Sequence, residues 1–97
     1  MTSRHYTNER QRREERIKLI GYTKIVKTVE TDRGHKNGPE LLCITDTGLI
    51  LVYNARTHKL VTKLIARPNQ LRRYWAEVPK EIIEIAEYHK KMGWNEL

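Results

Sequence analysis

The sequence predicts an α+β domain with an N-terminal helix, a four-stranded antiparallel β-meander and two C-terminal helices, the helices forming a single layer on one sheet face. Three observations lead to this fold class. A charged helical segment ends at Gly21, four β-branched runs separated by turn signals follow it, and Pro68 and Pro79 each open a further helical segment. The 97 residues suffice for a single domain, residues 1–97.

The first helix is predicted over residues 8–20 and is strongly basic. Residues 4–20 contain six basic and three acidic side chains. Apolar residues that can dock on a core are confined to the last turn, just before the helix stop signal at Gly21. We therefore expect the C-terminal turn to be anchored and residues 1–8 to form a frayed basic N-terminal arm.

Four later segments have the alternating, β-branched pattern of half-buried strands. Thr47 and Gly48 form a two-residue hairpin signal, and the glycine-rich segment 33–39 is predicted to be a loop. Two helices are expected after the sheet, a short one over residues 69–75 and a longer one over 79–92. The predicted strands are Tyr22–Thr31, Leu41–Asp46, Leu49–Asn54 and Leu60–Arg67.

Period-2 alternation assigns the two faces of this sheet, if Asp46 pairs with Leu49 and Asn54 with Lys59. One face is predicted to be the core face. The opposite face carries both apolar and polar side chains, and is predicted to be either a concave nucleic-acid platform or an ordinary solvated face. The predicted core face, covered by the helices, holds Leu42, Ile44, Leu49, Leu51, Tyr53, Leu60, Thr62 and Leu64. The predicted platform holds Cys43, Thr45, Ile50, Val52, Val61, Lys63, Ile65 and Arg67.

Charge is the first indication of function. Nineteen Lys and Arg against twelve Asp and Glu give a net charge of +7, which favours a polyanionic partner, with RNA the expected one. The longest apolar runs fall far short of the roughly 20 residues of a membrane span, and no secretory signal is recognisable, so a cytoplasmic protein without membrane contact is predicted. Cys43 is the single cysteine, which excludes an internal disulfide.

The densest set of chemically active side chains lies within residues 54–75. Lys63 and Arg67 are placed to stabilise a phosphorane, while His58 or Tyr74 would move protons between the ribose 2′-hydroxyl and the leaving oxygen. Neither a metal nor a cofactor is expected, because the histidines and the cysteine lack ligand-like spacing. The same residues could also bind phosphate without catalysis, and Tyr74 could stack on bases or plug the core.

Further basic and amide side chains are predicted to contact nucleic acid. The start of the predicted helix after Arg67 adds backbone amides and a positive dipole end. The predicted binding residues are Arg10, Arg12, Arg13, Lys24, Arg33, Lys36, Arg56, Lys59, Asn69, Gln70, Arg72 and Arg73.

The order of helix and meander, with an ITDTGLILVYN hairpin followed by THKLVTKLIARPNQ, resembles the superfamily of small ribonuclease toxins that includes barnase-like, colicin D-like and RelE-like domains. The resemblance covers about residues 8–75. It implies a metal-independent ribonuclease of a toxin, phage or mobile element, with a protein antitoxin or inhibitor as partner. Lys63 and Arg67 then occupy the kind of position on the last strand that those enzymes use.

Two other functions stay open at the level of sequence. One is a non-catalytic binding module, or a phage-encoded inhibitor, that uses its basic face to occlude a nucleic acid or a nucleic-acid-binding enzyme. The other is a structural protein whose last helix joins a partner. Cleavage of RNA, salt-sensitive binding of intact RNA, and self-association insensitive to salt would distinguish the three.

Overall fold

The structure, a computed structural model of the chain, describes residues 3–32 and 38–95, and of residues 3–10 the backbone alone. The predicted α+β order is confirmed: one helix, a four-stranded antiparallel sheet in the order β1-β2-β3-β4, and two helices. No helix among the described residues is long and apolar enough to cross a membrane. The elements are α1 (Ser3–Ile20), β1 (Ile25–Thr31), β2 (Glu40–Thr45), β3 (Leu49–Asn54), β4 (Leu60–Ile65), α2 (Pro68–Tyr74) and α3 (Lys80–Lys91).

The starts of α1 and β1 differ from the sequence prediction by more than one residue. The backbone of α1 is already helical at Ser3, where a frayed arm was expected. Strand β1 begins at Ile25 instead of Tyr22, because the Asp46 carboxylate accepts a hydrogen bond of 3.0 Å from the Thr23 backbone N–H. This bond holds the residues before β1 in a loop against the β2–β3 turn.

The β2–β3 turn has three residues instead of the predicted two. Ile44 pairs with Ile50, so Asp46, Thr47 and Gly48 all lie outside the ladder. Gly48 has φ of +83°, and its N–H donates to the Thr45 carbonyl at 3.2 Å. A turn closed by a left-handed residue is the usual form of a three-residue hairpin loop.

The extra turn residue corrects the predicted faces, because a shift of one residue moves every side chain of a strand to the opposite face. Ile50 and Val52 pair with Ile44 and Leu42 and belong to the core, not to an exposed platform. The predicted core residues Leu49, Leu51 and Tyr53 alternate with Ile50 and Val52 and lie on the opposite face. Thr45, predicted on the platform, is fully buried.

The main core lies between one sheet face and the two C-terminal helices. Three buried residues of α3 face the sheet at helical spacing, as the amphipathic pattern predicts for a helix that covers a sheet. Tyr74 and Trp75 pack against this core at the end of α2, which supports the core role among the two weighed for Tyr74. The buried members are Leu42, Ile44, Ile50, Val52, Ala66, Leu71, Ile82, Ile83 and Ala86.

Helix α1 packs elsewhere, which corrects the single helical layer of the prediction. Ile17 contacts Leu49 and Ile65, a cross-strand pair whose side chains alternate with those of the main core. Ile20 and Trp94 pack against the same cluster. Helices therefore lie on both faces, with α1 beside the end of β4 where the chain passes into α2.

Candidate nucleic-acid interface

A cavity of about 780 Å³ opens where the end of β4 meets α1, α2 and the residues after α3. Four cationic side chains from three helices and one strand end line it, and no Asp or Glu is among its described lining residues. We call it the basic cavity. It is lined by Arg13, Leu64, Ile65, Arg67, Pro68, Asn69, Gln70, Arg73, Lys90, Trp94 and Asn95.

Arg67 is held in the wall of the basic cavity at the junction of β4 and α2. Pro68 fixes the start of the helix, since its ring suits the first helical position. The Arg67 backbone N–H donates to Gln70 Oε1 at 3.4 Å, and Arg67 Nε donates to the backbone oxygen of Asn95 at 3.1 Å. One guanidinium edge is thus anchored to the chain after α3, and the exposed side chain carries its charge at the cavity.

Two of the three amide side chains of the cavity, those of Asn69 and Gln70, add hydrogen-bond donors to it. Gln70 Oε1 accepts the hydrogen bond from the Arg67 N–H, and Asn69 Oδ1 accepts one from Arg72 Nη1 at 3.4 Å. Each of these oxygens accepts one hydrogen bond, and the NH₂ groups of Asn69 and Gln70 add donors for a ligand. Together with the four cations they make a lining that donates hydrogen bonds, which suits an acceptor-rich ligand.

The turn after α3 brings an aromatic ring to the same cavity. Gly93 has φ of +74°, and its N–H donates to the Lys90 carbonyl at 3.0 Å while the Trp94 N–H donates to the His89 carbonyl at 2.8 Å. These two bonds form a Schellman motif, which ends a helix through a left-handed residue. The turn places Trp94 against His89 and in the cavity wall.

Asn95 fastens this C-terminal turn to the sheet and to α3. Its Nδ2 donates to the carbonyl oxygens of Ala66 and Ala86, at 3.2 and 3.4 Å. The side chain is buried, so these hydrogen bonds are screened from water. The wall that carries Trp94 is therefore built from the core outward.

His89 lies directly behind the cavity wall. It is buried on the core side of α3, and burial lowers the pKa of its imidazole below the usual 6.5. Its Nδ1 has no hydrogen-bond partner among the described residues. His89 is therefore neutral at pH 7 and acts as an aromatic support for Trp94.

A second cavity, of about 620 Å³, lies between α1 and β4 and shares Arg13 with the first. We call it the α1–β4 groove. Lys18 and Lys63 add positive charge to it, and Glu14 is its one described carboxylate. Leu60 and Val61 are both exposed there, at 47% and 56%. The groove continues the positive surface from the basic cavity along β4.

The four predicted catalytic residues do not come together. His58 and Arg67 flank opposite ends of β4, whose six residues span roughly 20 Å. Lys63 lines the α1–β4 groove, whereas Tyr74 packs against the main core. Arg67 is the one member of the predicted catalytic set in the basic cavity.

The predicted binding residues divide into three groups. Arg13, Asn69, Gln70 and Arg73 line the basic cavity, and Arg72 reaches it through Asn69. Four others are exposed elsewhere on the surface: Arg12 on α1, Lys24 before β1, and Arg56 and Lys59 between β3 and β4. Arg33, Lys36 and the side chain of Arg10 lie outside the described residues.

Among the polar and aromatic residues that line the basic cavity, sequence reasoning missed three, Lys90, Trp94 and Asn95. The position of Lys90 in the last turn of its helix already explains its charge, because a basic residue there interacts favourably with the helix dipole. A signal for the other two was the sequence Gly-Trp-Asn directly after the helix, because a helix that ends in Gly and a large apolar residue typically folds back on itself.

The described residues contain no group of three or more His, Cys, Asp or Glu side chains arranged to hold a metal ion. No protein-family model matches the chain, and neither curated proteins nor solved structures give a match to it. The geometry of the two cavities is therefore the basis for a functional assignment.

Proposed function

We propose that the protein binds nucleic acid, RNA in the first place, and that the basic cavity is the principal contact with the phosphate backbone. One observation carries the proposal: Arg13, Arg67, Arg73 and Lys90 converge on one cavity without a carboxylate among its described lining residues. Surface cations ordinarily have anions near them. On α3, for example, Lys80 Nζ lies 4.0 Å from Glu84 Oε1. A phosphate ligand would supply the missing negative charge.

The hydrogen-bonding character of the cavity supports the same ligand class. Guanidinium, ammonium and amide NH₂ groups are donors, and phosphate oxygens are acceptors. Trp94 and the aliphatic Leu64 and Ile65 add apolar surface to the cavity, which suits a base or a ribose. A protein with this lining is suited to nucleic acid more than to a purely inorganic anion.

Binding has more support than cleavage. No imidazole or carboxylate is among the described residues of the basic cavity, so a general base is not beside Arg67 there. His58, the proton carrier proposed from sequence, lies at the far end of β4. We therefore propose a binding module, which would act by covering its nucleic-acid target.

The test is the salt dependence of RNA binding, measured by fluorescence anisotropy with a short single-stranded RNA. Each phosphate contact contributes about 0.7 to the slope of log K against log salt concentration for single strands. Arg73→Gln and Lys90→Gln should each weaken binding and lower the slope by about that amount. Their matched controls are Arg56→Gln and Lys59→Gln, which remove the same charges from the exposed β3–β4 turn outside the cavity.

Three results are distinguishable. Weaker binding in the cavity variants, with the controls close to wild type, supports the proposal. Equal effects of all four substitutions would show a diffuse charge effect and contradict a defined site. Discrete cleavage of the RNA, lost in Lys63→Ala and Arg67→Ala, would instead support the ribonuclease proposed from sequence.

A further inference from the structure

We propose that the basic cavity takes consecutive phosphates, namely the 5′-di- or triphosphate of a nucleotide, in preference to an internal phosphodiester. This inference rests on the proposed function and names the ligand of the same site. The ligand chemistry is shared by two sources, a free nucleoside triphosphate and the 5′ end of a newly made RNA. The tests below separate them.

The density of positive charge is the first argument. A nucleic-acid chain carries one negative charge per nucleotide, whereas a terminal triphosphate gathers its charges on three adjacent phosphorus atoms. Four cations around one cavity of about 780 Å³ match the second arrangement more closely. A cavity of this volume is within the usual range of clefts for small ligands.

The construction of the cavity is the second argument. Arg67 is fixed through its Nε, Gln70 through Oε1 and Asn69 through its bond to Arg72, so their donors are oriented before a ligand arrives. Surface lysines that merely attract a polymer need no such anchoring. Oriented donors favour a compact anion of defined shape, because less conformational entropy is lost on binding.

The aromatic ring in the cavity wall also favours a nucleotide. Trp94 lines the cavity, and the His89 ring stacks on it with 5.8 Å between the ring centroids. A supported aromatic ring beside a cluster of cations is suited to the base of the same nucleotide whose phosphates the cations hold. Phosphate and base of one terminal nucleotide would thus be bound together.

The α1–β4 groove bears on the source of the ligand. It continues from the basic cavity through Arg13 and carries Lys18 and Lys63 along its length. The following nucleotides of an RNA could occupy it, whereas a free nucleotide would leave it empty. An RNA with a 5′-triphosphate should therefore bind more tightly than a free nucleoside triphosphate. Lys63→Gln should weaken the binding of the RNA and leave the binding of the free nucleotide unchanged.

The experiment compares three short single-stranded RNAs of one sequence that differ in the 5′ group: hydroxyl, monophosphate or triphosphate. ATP is the fourth probe, and all are measured by competition in EDTA-containing buffer with the full chain. We expect the triphosphate RNA to bind about tenfold or more tightly than the hydroxyl RNA. Arg73→Gln should reduce this ratio towards one, and Arg56→Gln should leave it intact.

The outcomes separate the inference from the function on which it rests. Equal affinity of the three RNAs, with salt-sensitive binding retained, would overturn the polyphosphate inference and leave the proposed function standing. Absence of binding by every RNA would overturn the proposed function, and binding of ATP alone would then still support the polyphosphate site. Tighter binding of the triphosphate RNA than of ATP, reduced by Lys63→Gln, supports the RNA end as the source.

Discussion

The indole ring of Trp94 stacks on the imidazole ring of His89, with 5.8 Å between the ring centroids and 14° between the ring planes. His89 is buried on α3 and Trp94 lines the basic cavity. One ring therefore belongs to the core and the other to the proposed binding site. A change in the protonation of His89 acts on both.

Stability should fall on mild acidification because of His89. Burial lowers the pKa of its imidazole, so between the ordinary value of 6.5 and the folded value the unfolded chain binds a proton that the folded chain does not. The free energy of unfolding should then decrease as the pH falls below 6.5, by at most about 1.4 kcal/mol per pH unit. Urea unfolding at a series of pH values between 7 and 5 measures this slope.

The variant His89→Phe separates this effect from general acid sensitivity. Phenylalanine keeps an aromatic ring against Trp94 but has no proton to gain. The pH slope of this variant should be shallower than that of the wild type. Identical slopes in both proteins would assign the acid sensitivity to other groups.

Gly93 should be required both for stability and for binding. Its φ of +74° is in the left-handed region, and an added Cβ would meet no atom within 4 Å, so the cost of Gly93→Ala is backbone strain alone. We expect a loss of about 1–2 kcal/mol in the free energy of unfolding. RNA binding should weaken as well, because this residue sets the position of Trp94.

Gly48→Ala is the matched control for this prediction. Gly48 has φ of +83° and equally open surroundings, but it lies in the β2–β3 turn and does not line the basic cavity. The two variants should lose similar stability, measured by urea unfolding. If Gly48→Ala weakens RNA binding as much as Gly93→Ala does, the effect is one of stability and not of Trp94.

The elements of this fold were predictable because their signals are local. Strand β3 has the predicted bounds, and Pro68 and Pro79 mark the starts of the last two helices. The faces of the sheet were not predictable, since a turn of two residues and one of three have the same sequence signal around Gly48. The one-residue difference in turn length decides whether Ile50 faces the core.

In the candidate site too, residues close together in the sequence were predictable and residues joined by tertiary contacts were not. Arg67, Asn69, Gln70 and Arg73 are neighbours in sequence and were found as a group. Lys90 and Asn95 join them through a tertiary contact, the packing of the chain after α3 against the end of β4. A contact of this kind leaves no periodic pattern in the sequence.

Asp46 should stabilise the β1 entry in a charge-dependent way. The backbone N–H of Thr23 donates to its carboxylate, and this bond lowers the pKa of Asp46 below 3.8. A lowered folded pKa means that the stabilisation is present above pH 3.8 and is lost as the pH falls through the folded value. Asp46→Asn should thus be less stable than the wild type at pH 7, with a difference that shrinks towards pH 3.

Thermal unfolding of both proteins at several pH values tests this expectation. Asp46→Ala should lose more stability than Asp46→Asn at pH 7, since the asparagine oxygen still accepts from Thr23. A difference between wild type and Asp46→Asn that stays constant down to pH 3 would contradict a role for the charge.

Asn95 offers the sharpest separation between stability and electrostatics at the basic cavity. Asn95→Ala and Asn95→Asp both remove the Nδ2 donor from the carbonyls of Ala66 and Ala86. Asn95→Ala should cost about 1–3 kcal/mol in the free energy of unfolding, and Asn95→Asp should cost more, because its carboxylate is buried against two carbonyl oxygens. The aspartate alone adds a negative charge to the cavity wall. RNA binding, measured at a temperature where both variants are folded, should therefore be weaker in Asn95→Asp than in Asn95→Ala, and the difference should diminish as salt is raised. Equal affinities at low salt would mean that phosphate does not approach this wall, and the basic cavity would lose its place as the principal contact.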